Sequence, residues 1–195
     1  ACGLIGDLLS IMGDFDRAIE FLEQNLALSR ELNYKKGIAK ALNTLGDTWF
    51  YKGDQARSIR YYNEAIEHAR EMGNKLVLGY SLVEKGIVHV TAGELSTARQ
   101  VLEEGRDIAL ALGNADLTFG ANILRAQVII AEGNRPEALR QLQQLLALAR
   151  TEREEAAVHF ELRRVADNPT PHHTRALSLY RSMYARTPQY IYRVR

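Results

Sequence analysis

Among its 195 residues the chain has one cysteine, four prolines and one tryptophan. The lone Cys2 cannot close an internal disulfide and leaves no thiolate cluster for a metal. It reads as a small apolar side chain in a reducing compartment. No run of eighteen apolar residues occurs, and the N-terminus lacks the basic start and small-residue cleavage site of a secretory leader. The expected compartment is therefore the cytoplasm. Neither sign of charge dominates: 25 basic against 24 acidic side chains give +1, which excludes a generally polyanion-binding surface. A phosphate-cradling glycine loop, a metalloprotease helix and a nucleophile elbow are all missing. The five histidines, His68, His89, His159, His172 and His173, never stand four residues apart as two ligands on one helical face must. His172 and His173 read as a solvated loop pair, and Glu103 with Glu104 or Glu154 with Glu155 as exposed helical faces. No catalytic residue, metal ligand or cofactor site is expected. The chain reads as a non-enzyme.

What is present is a repeat. GDFDRAI begins at Gly13, GDQARSI at Gly53, GELSTAR at Gly93 and GNRPEAL at Gly133, each forty residues after the last. Five residues after each glycine stands Ala18, Ser58, Ala98 or Ala138, and four further on Leu22, Tyr62, Leu102 or Leu142. Seven residues before each glycine lies another small residue, Gly6, Gly46, Gly86 or Ala126. Those earlier small residues sit inside stretches with apolar spacing of three and four, where glycine costs about 1 kcal/mol relative to alanine. Their recurrence predicts that a neighbouring helix crosses there too closely for a side chain.

The same spacing predicts paired helices near 1–12 and 14–32, 36–52 and 54–72, 75–92 and 94–112, 115–132 and 135–150, then 152–166 and 172–186. Asp14, Asp54, Glu94 and Asn134 follow the anchor glycines, where an acceptor suits the free amides and the dipole of a starting helix. Trp49 and His89 share one register position and are expected to pack. The whole forms one domain with repeats near 1–33, 34–73, 74–113, 114–151 and 152–187, and a terminal segment 188–195. The absence of an initial Met and the short first segment suggest a piece of a longer protein.

In the second repeat Leu42, Leu45, Gly46, Trp49, Ser58, Tyr62 and Ala65 together resemble the tetratricopeptide-repeat framework. The likeness covers residues 1–150 and extends more loosely to 152–186 through Ala176 and Tyr180. Two departures stand out: the period is forty rather than thirty-four, and Asn25, Gly105 and Leu145 replace the last framework alanine. Long repeats of this kind are similar to those of kinesin light chains, MalT-type activators and Rap-type receptors. The resemblance implies an all-α, right-handed superhelical solenoid of antiparallel helix pairs: four clear repeats, a degenerate fifth and a C-terminal cap.

It also implies a concave groove lined by the first helix of each pair, taking a protein or peptide. By register the groove positions are Asp7, Lys40, Asn43, Thr44, Asp47, Phe50, Tyr51, Tyr80, Val83, Glu84, Ile87 and Gln127, with Leu4, Gly120, Ile123, Leu124 and Ile130 further along it. Glu84, Gly120 and Leu124 stand where a clamp for a terminal carboxylate would need donors, so no such clamp is expected. The groove runs from polar near Lys40 to apolar near Ile130. The apolar end suits either a partner segment or burial against further helices.

From residue 174 onward there are five arginines, Arg175, Arg181, Arg186, Arg193 and Arg195, with four tyrosines among them and no acid. They read as a capping helix whose tyrosines cover the last repeat, ahead of nucleic-acid contact by charge and stacking. The functional expectation is a protein-binding scaffold or regulatory module of a larger signalling or transcription-regulatory protein, with self-association into a homo-oligomer as the alternative.

Overall fold

In a computed structural model, which describes residues 2–187, helices end where the sequence places residues that cannot continue them. The order is α1 (Cys2–Met12), α2 (Phe15–Glu31), α3 (Lys35–Lys52), α4 (Gln55–Glu71), α5 (Lys75–Thr91), α6 (Leu95–Leu112), α7 (Ala115–Ala131), α8 (Arg135–Leu148), α9 (Glu152–Val165) and α10 (Thr170–Arg186). No strand occurs among the described residues.

Gly53 shows how each hairpin turns. Its φ of +94° lies in the left-handed region that side chains disfavour. That geometry lets the Gly53 amide donate to the Phe50 carbonyl at 3.0 Å and the Asp54 amide to Trp49 at 2.9 Å, closing the open end of α3. The Asp54 carboxylate then accepts from the Arg57 amide at 2.9 Å and starts α4. Asn134 caps α8 in the same way. Asp14 and Glu94 do not take this role. Glu94 instead meets His89 Nδ1 at 2.6 Å, its longer side chain reaching back past the turn.

The recurring mid-helix small residues mark close crossings. A Cβ on Gly46 would stand 2.8 Å from the Tyr62 ring, and one on Gly6 would stand 2.7 Å from Leu22 Cγ. Gly86 is met instead by Leu124, a side chain of the next odd-numbered helix. Ala126 fits the fourth copy and is fully buried.

Each helix packs on its successor, and every odd-numbered helix from α1 to α7 also touches the next odd-numbered one. The shorter spacing belongs to the inner side of a curved stack, so α1, α3, α5, α7 and α9 line the concave face of a right-handed solenoid. Side-chain bonds between odd helices reinforce that face: Ser10 with Thr48 at 2.8 Å and Ser81 Oγ donating to Asn43 Oδ1 at 2.7 Å. On the convex face Arg30 meets Glu64 and Arg70 meets Glu104, the same pair displaced by one period. The core runs along the stack in successive clusters: Leu22, Leu42 and Leu45 in one, Leu102 and Leu124 in another, Leu142 and Leu162 in a third. Each such side chain contributes about 1.5–3 kcal/mol.

The forty-residue lattice changes at α9. Thr151 and Glu154 form a reciprocal capping box, and α9 is only 14 residues long. α10 begins two residues before its expected start, because Pro171 fits a first helical turn. His172 is therefore helical rather than a solvated loop residue: its Nδ1 lies 2.9 Å from Nδ1 of His159. Tyr180 is buried edge-on to Phe160, while Arg175 and Arg186 pair with Glu155 and Glu152 of α9. Tyr190, Tyr192, Arg193 and Arg195 lie outside the described residues.

Candidate functional site

Along α3, residues 36, 40, 43, 44 and 47 recur at steps of three and four and so share one face. That face and the facing side of α5 enclose a cleft of about 480 Å³, within the usual range for ligand sites. Lys35, Lys36, Ala39, Lys40, Asn43, Thr44 and Asp47 form one wall. Val77, Tyr80 and Glu84 form the other, and His68, Met72 and Asn74 close one end.

Most of the polar groups in the walls are held by neighbours. Asn43 accepts from Ser81 and donates through Nδ2 to the Ala39 carbonyl at 3.2 Å, which fixes its amide. Thr44 Oγ1 donates to the Lys40 carbonyl at 3.1 Å. Lys40 pairs with Asp7 of α1, so two of the expected groove residues meet as an ion pair. Lys35 and Lys36 are exposed and meet no acid among the described residues.

Asp47 is the most perturbed group. Its carboxyl is enclosed by protein atoms, and burial first, then the neighbouring charge of Glu84, push its pKa from 3.8 to about 7. The Tyr62 hydroxyl, which donates to Asp47 Oδ1, and the Arg153 guanidinium act in the opposite direction. Burial and Asp47 in turn hold the Tyr62 phenol well above its ordinary value. Tyr80 keeps 37% of its surface accessible at the lip.

The structure thus brings Lys40, Asn43, Thr44, Asp47, Tyr80 and Glu84 to one cleft, with Asp7 joined through Lys40. The other expected residues lie elsewhere. Phe50 and Tyr51 touch each other at the C-terminal end of α3, ring centroids 5.5 Å apart, outside the cleft walls. Val83 is buried in the core with Ala121 and Leu124, and Ile87 packs on the same cluster. Gln127 donates to Glu161 at 3.0 Å and ties α7 to α9. Sequence reasoning missed Lys35, Lys36, Met72 and Asn74. Lys36 was within reach of it, standing one turn before Lys40 on the same face.

The next interval along the concave face is filled at the corresponding position. Leu124 occupies the register position of Glu84 and Thr44, is fully buried, and lies against Gly86. Ile123 and Ile130 of α7 pack against the cluster formed with α8 and α9, so the apolar end of the groove is partly consumed by the fold.

A tetratricopeptide-repeat sequence profile matches residues 1–71. Proteins described as HTH-type transcriptional regulators of Mycobacterium tuberculosis and Mycobacterium bovis are 27% identical over 127 residues, which is 65% of this chain. The match spans only 14% of the length of those relatives. Two crystal structures of nearly identical TPR-like repeats, from a Podosopora anserina protein described as a kinesin light chain, have TM-scores of 0.67 and 0.66. They cover 95% of this chain and 94% of their own at 18% identity, a likeness of fold.

Proposed function

We propose that this chain, whose residues 1–71 match the tetratricopeptide-repeat family, is a protein- or peptide-binding module acting inside a larger regulatory protein. The observation that carries the reading is the α3–α5 cleft, whose polar walls are fixed by their own hydrogen bonds while its volume stays open. Pre-positioned walls reduce the ordering that binding must overcome. The regulatory setting is supported by the likeness to transcriptional regulators far longer than this chain.

Capture from a source-cell lysate tests the reading when the native chain is run beside a Thr44→Trp, Tyr80→Ala variant that blocks the cleft. A protein retained by the native chain and lost from the variant is the expected outcome. Identical sets on both baits would overturn it.

Self-association is the second reading, and it rests on α1. Leu8 is 60% exposed, whereas Val88 and Val128 at its register position are 1% and 2% exposed. Leu4, Ile5, Ile11 and Met12 extend that stripe. If two copies meet there, sedimentation shows a concentration-dependent mass that Leu8→Glu abolishes. A constant monomer mass removes this reading.

A further inference from the structure

α10 is held to the solenoid by one neighbour. Among the described elements it packs on α9 alone. Ala176, Leu179, Tyr180 and Met183 cluster with Ala156 and Phe160 of that helix, and Arg175 and Arg186 reach Glu155 and Glu152. Near the start of α10 two imidazoles complete the contact. His159 of α9 and His172 of α10 have ring centroids 5.1 Å apart, and their Nδ1 atoms meet at 2.9 Å. The His159 side chain keeps only 13% of its surface accessible.

A nitrogen–nitrogen contact of that length needs one proton and one lone pair. A neutral pair supplies both, one Nδ1 donating and the other accepting. The first added proton is tolerated, because it takes the outer nitrogen of the donor ring. With His159 as donor that nitrogen is Nε2, 3.8 Å from Glu155 Oε1. The second proton has only the accepting Nδ1 left, so it removes the acceptor and sets two cations against each other. His172 is also the third residue of α10, at the helix end whose dipole disfavours a positive charge. We propose that His159 and His172 form an acid-operated latch: α10 stays docked while the pair carries at most one added proton, and the second releases it, uncovering the face of α9 at Ala156 and Phe160.

The charged and titratable groups acting on His159 are His172 and Arg175 from α10 and Glu155 from its own helix; none from α7 or α8, which also pack on α9, is among them. His173 is exposed beside the pair. Burial first, then His172, hold the His159 pKa below its usual 6.5, with Glu155 opposing. A group depressed in this way supports the docked state above its unfolded value of 6.5 and withdraws that support as pH falls. Release therefore belongs below pH 6.5. Glu155 is not its cause, since the hydrogen bond from Arg175 holds that carboxyl below the usual range and keeps it ionised while the imidazoles titrate.

Amide hydrogen exchange of the full chain, read by mass spectrometry between about pH 8 and about pH 5 and corrected for the intrinsic rate at each pH, tests the latch. Protection over residues 170–186 should fall at least tenfold on acidification, while protection over α3 to α6 does not fall. His172→Asn leaves an amide where Nδ1 stood, able to bond His159 but not to take a proton, and should keep α10 protected at both ends of the range. His159→Asn removes the other titrating ring in the same way and should match it. Unchanged α10 protection in the native chain, or an acid loss in either asparagine variant equal to that of the native chain, would overturn the inference.

Discussion

Two neighbouring intervals on the concave face share one fold and one register yet differ in what they leave open. Between α5 and α7 a leucine, Leu124, occupies the crossing against Gly86 and is fully buried. Between α3 and α5 the same register position is Glu84, which lines a cleft of about 480 Å³. A leucine at this position fills space, and a carboxylate there keeps it wet. A site on a solenoid thus arises where one repeat declines the apolar plug its neighbour uses, with the helices otherwise unchanged.

Removing the plug is the largest test of that contrast. Leu124→Ala should cost about 3 kcal/mol in urea unfolding, as for other fully buried leucines. Thr44→Ala, in the wall of the open interval, should cost under about 0.5 kcal/mol. Similar losses at the two sites would erase the distinction.

The next test is electrostatic. Folded Asp47 keeps its proton up to about pH 7, whereas the unfolded group releases it near 3.8. Between those values the folded state binds the extra proton, so stability falls as pH rises, and the contribution is lost by about pH 7. Asp47→Asn should flatten this slope, so that between pH 5 and pH 8 the native chain loses roughly 2 kcal/mol more than the variant. Parallel pH profiles would show that Asp47 ionises at no cost.

A smaller effect is expected from copying the plug into the open interval. Glu84→Leu should raise stability by about 1 kcal/mol, move the Asp47 titration downward by removing a like charge, and reduce capture of cleft partners more than tenfold. Titration followed by NMR and the capture assay read the two consequences separately. Least of all, a double-mutant cycle on Arg70 and Glu104 of the convex face should give a coupling below about 0.5 kcal/mol that disappears at high salt. A larger value would move weight from the concave to the convex side of the comparison.

Much of the architecture was legible in the sequence because a repeat states its packing more than once. Gly6, Gly46 and Gly86 announced close crossings by recurring at one register, and the turn glycines announced the helix ends. The site was legible only as a face. Helical register placed Lys40, Asn43, Thr44, Asp47, Tyr80 and Glu84 on one side of their helices, but it treats every interval as equally open. Val83 and Leu124 fall on that same side and are buried, since the spacing between α5 and α7 is a property of their packing. The hold of Tyr62 on Asp47 was hidden for a related reason. It joins a core position to a groove position fifteen residues away, a pairing that no single helical period encodes. The His159–His172 contact depended on Pro171 beginning a helix where a loop was expected.

The side-chain bonds that join successive odd-numbered helices can also be viewed as the joints of a spring. Between α5 and α7 the joint is a packed leucine, whose contacts weaken only as the helices separate. Between α3 and α5 it includes one short link, Ser81 to Asn43, beside an open volume. A solenoid loaded along its axis should yield first at its least filled joint. In this chain the α3–α5 joint, less filled than that between α5 and α7, is also the candidate binding site, so an occupant wedged into the cleft would bear on the curvature of the stack as well as being held by it.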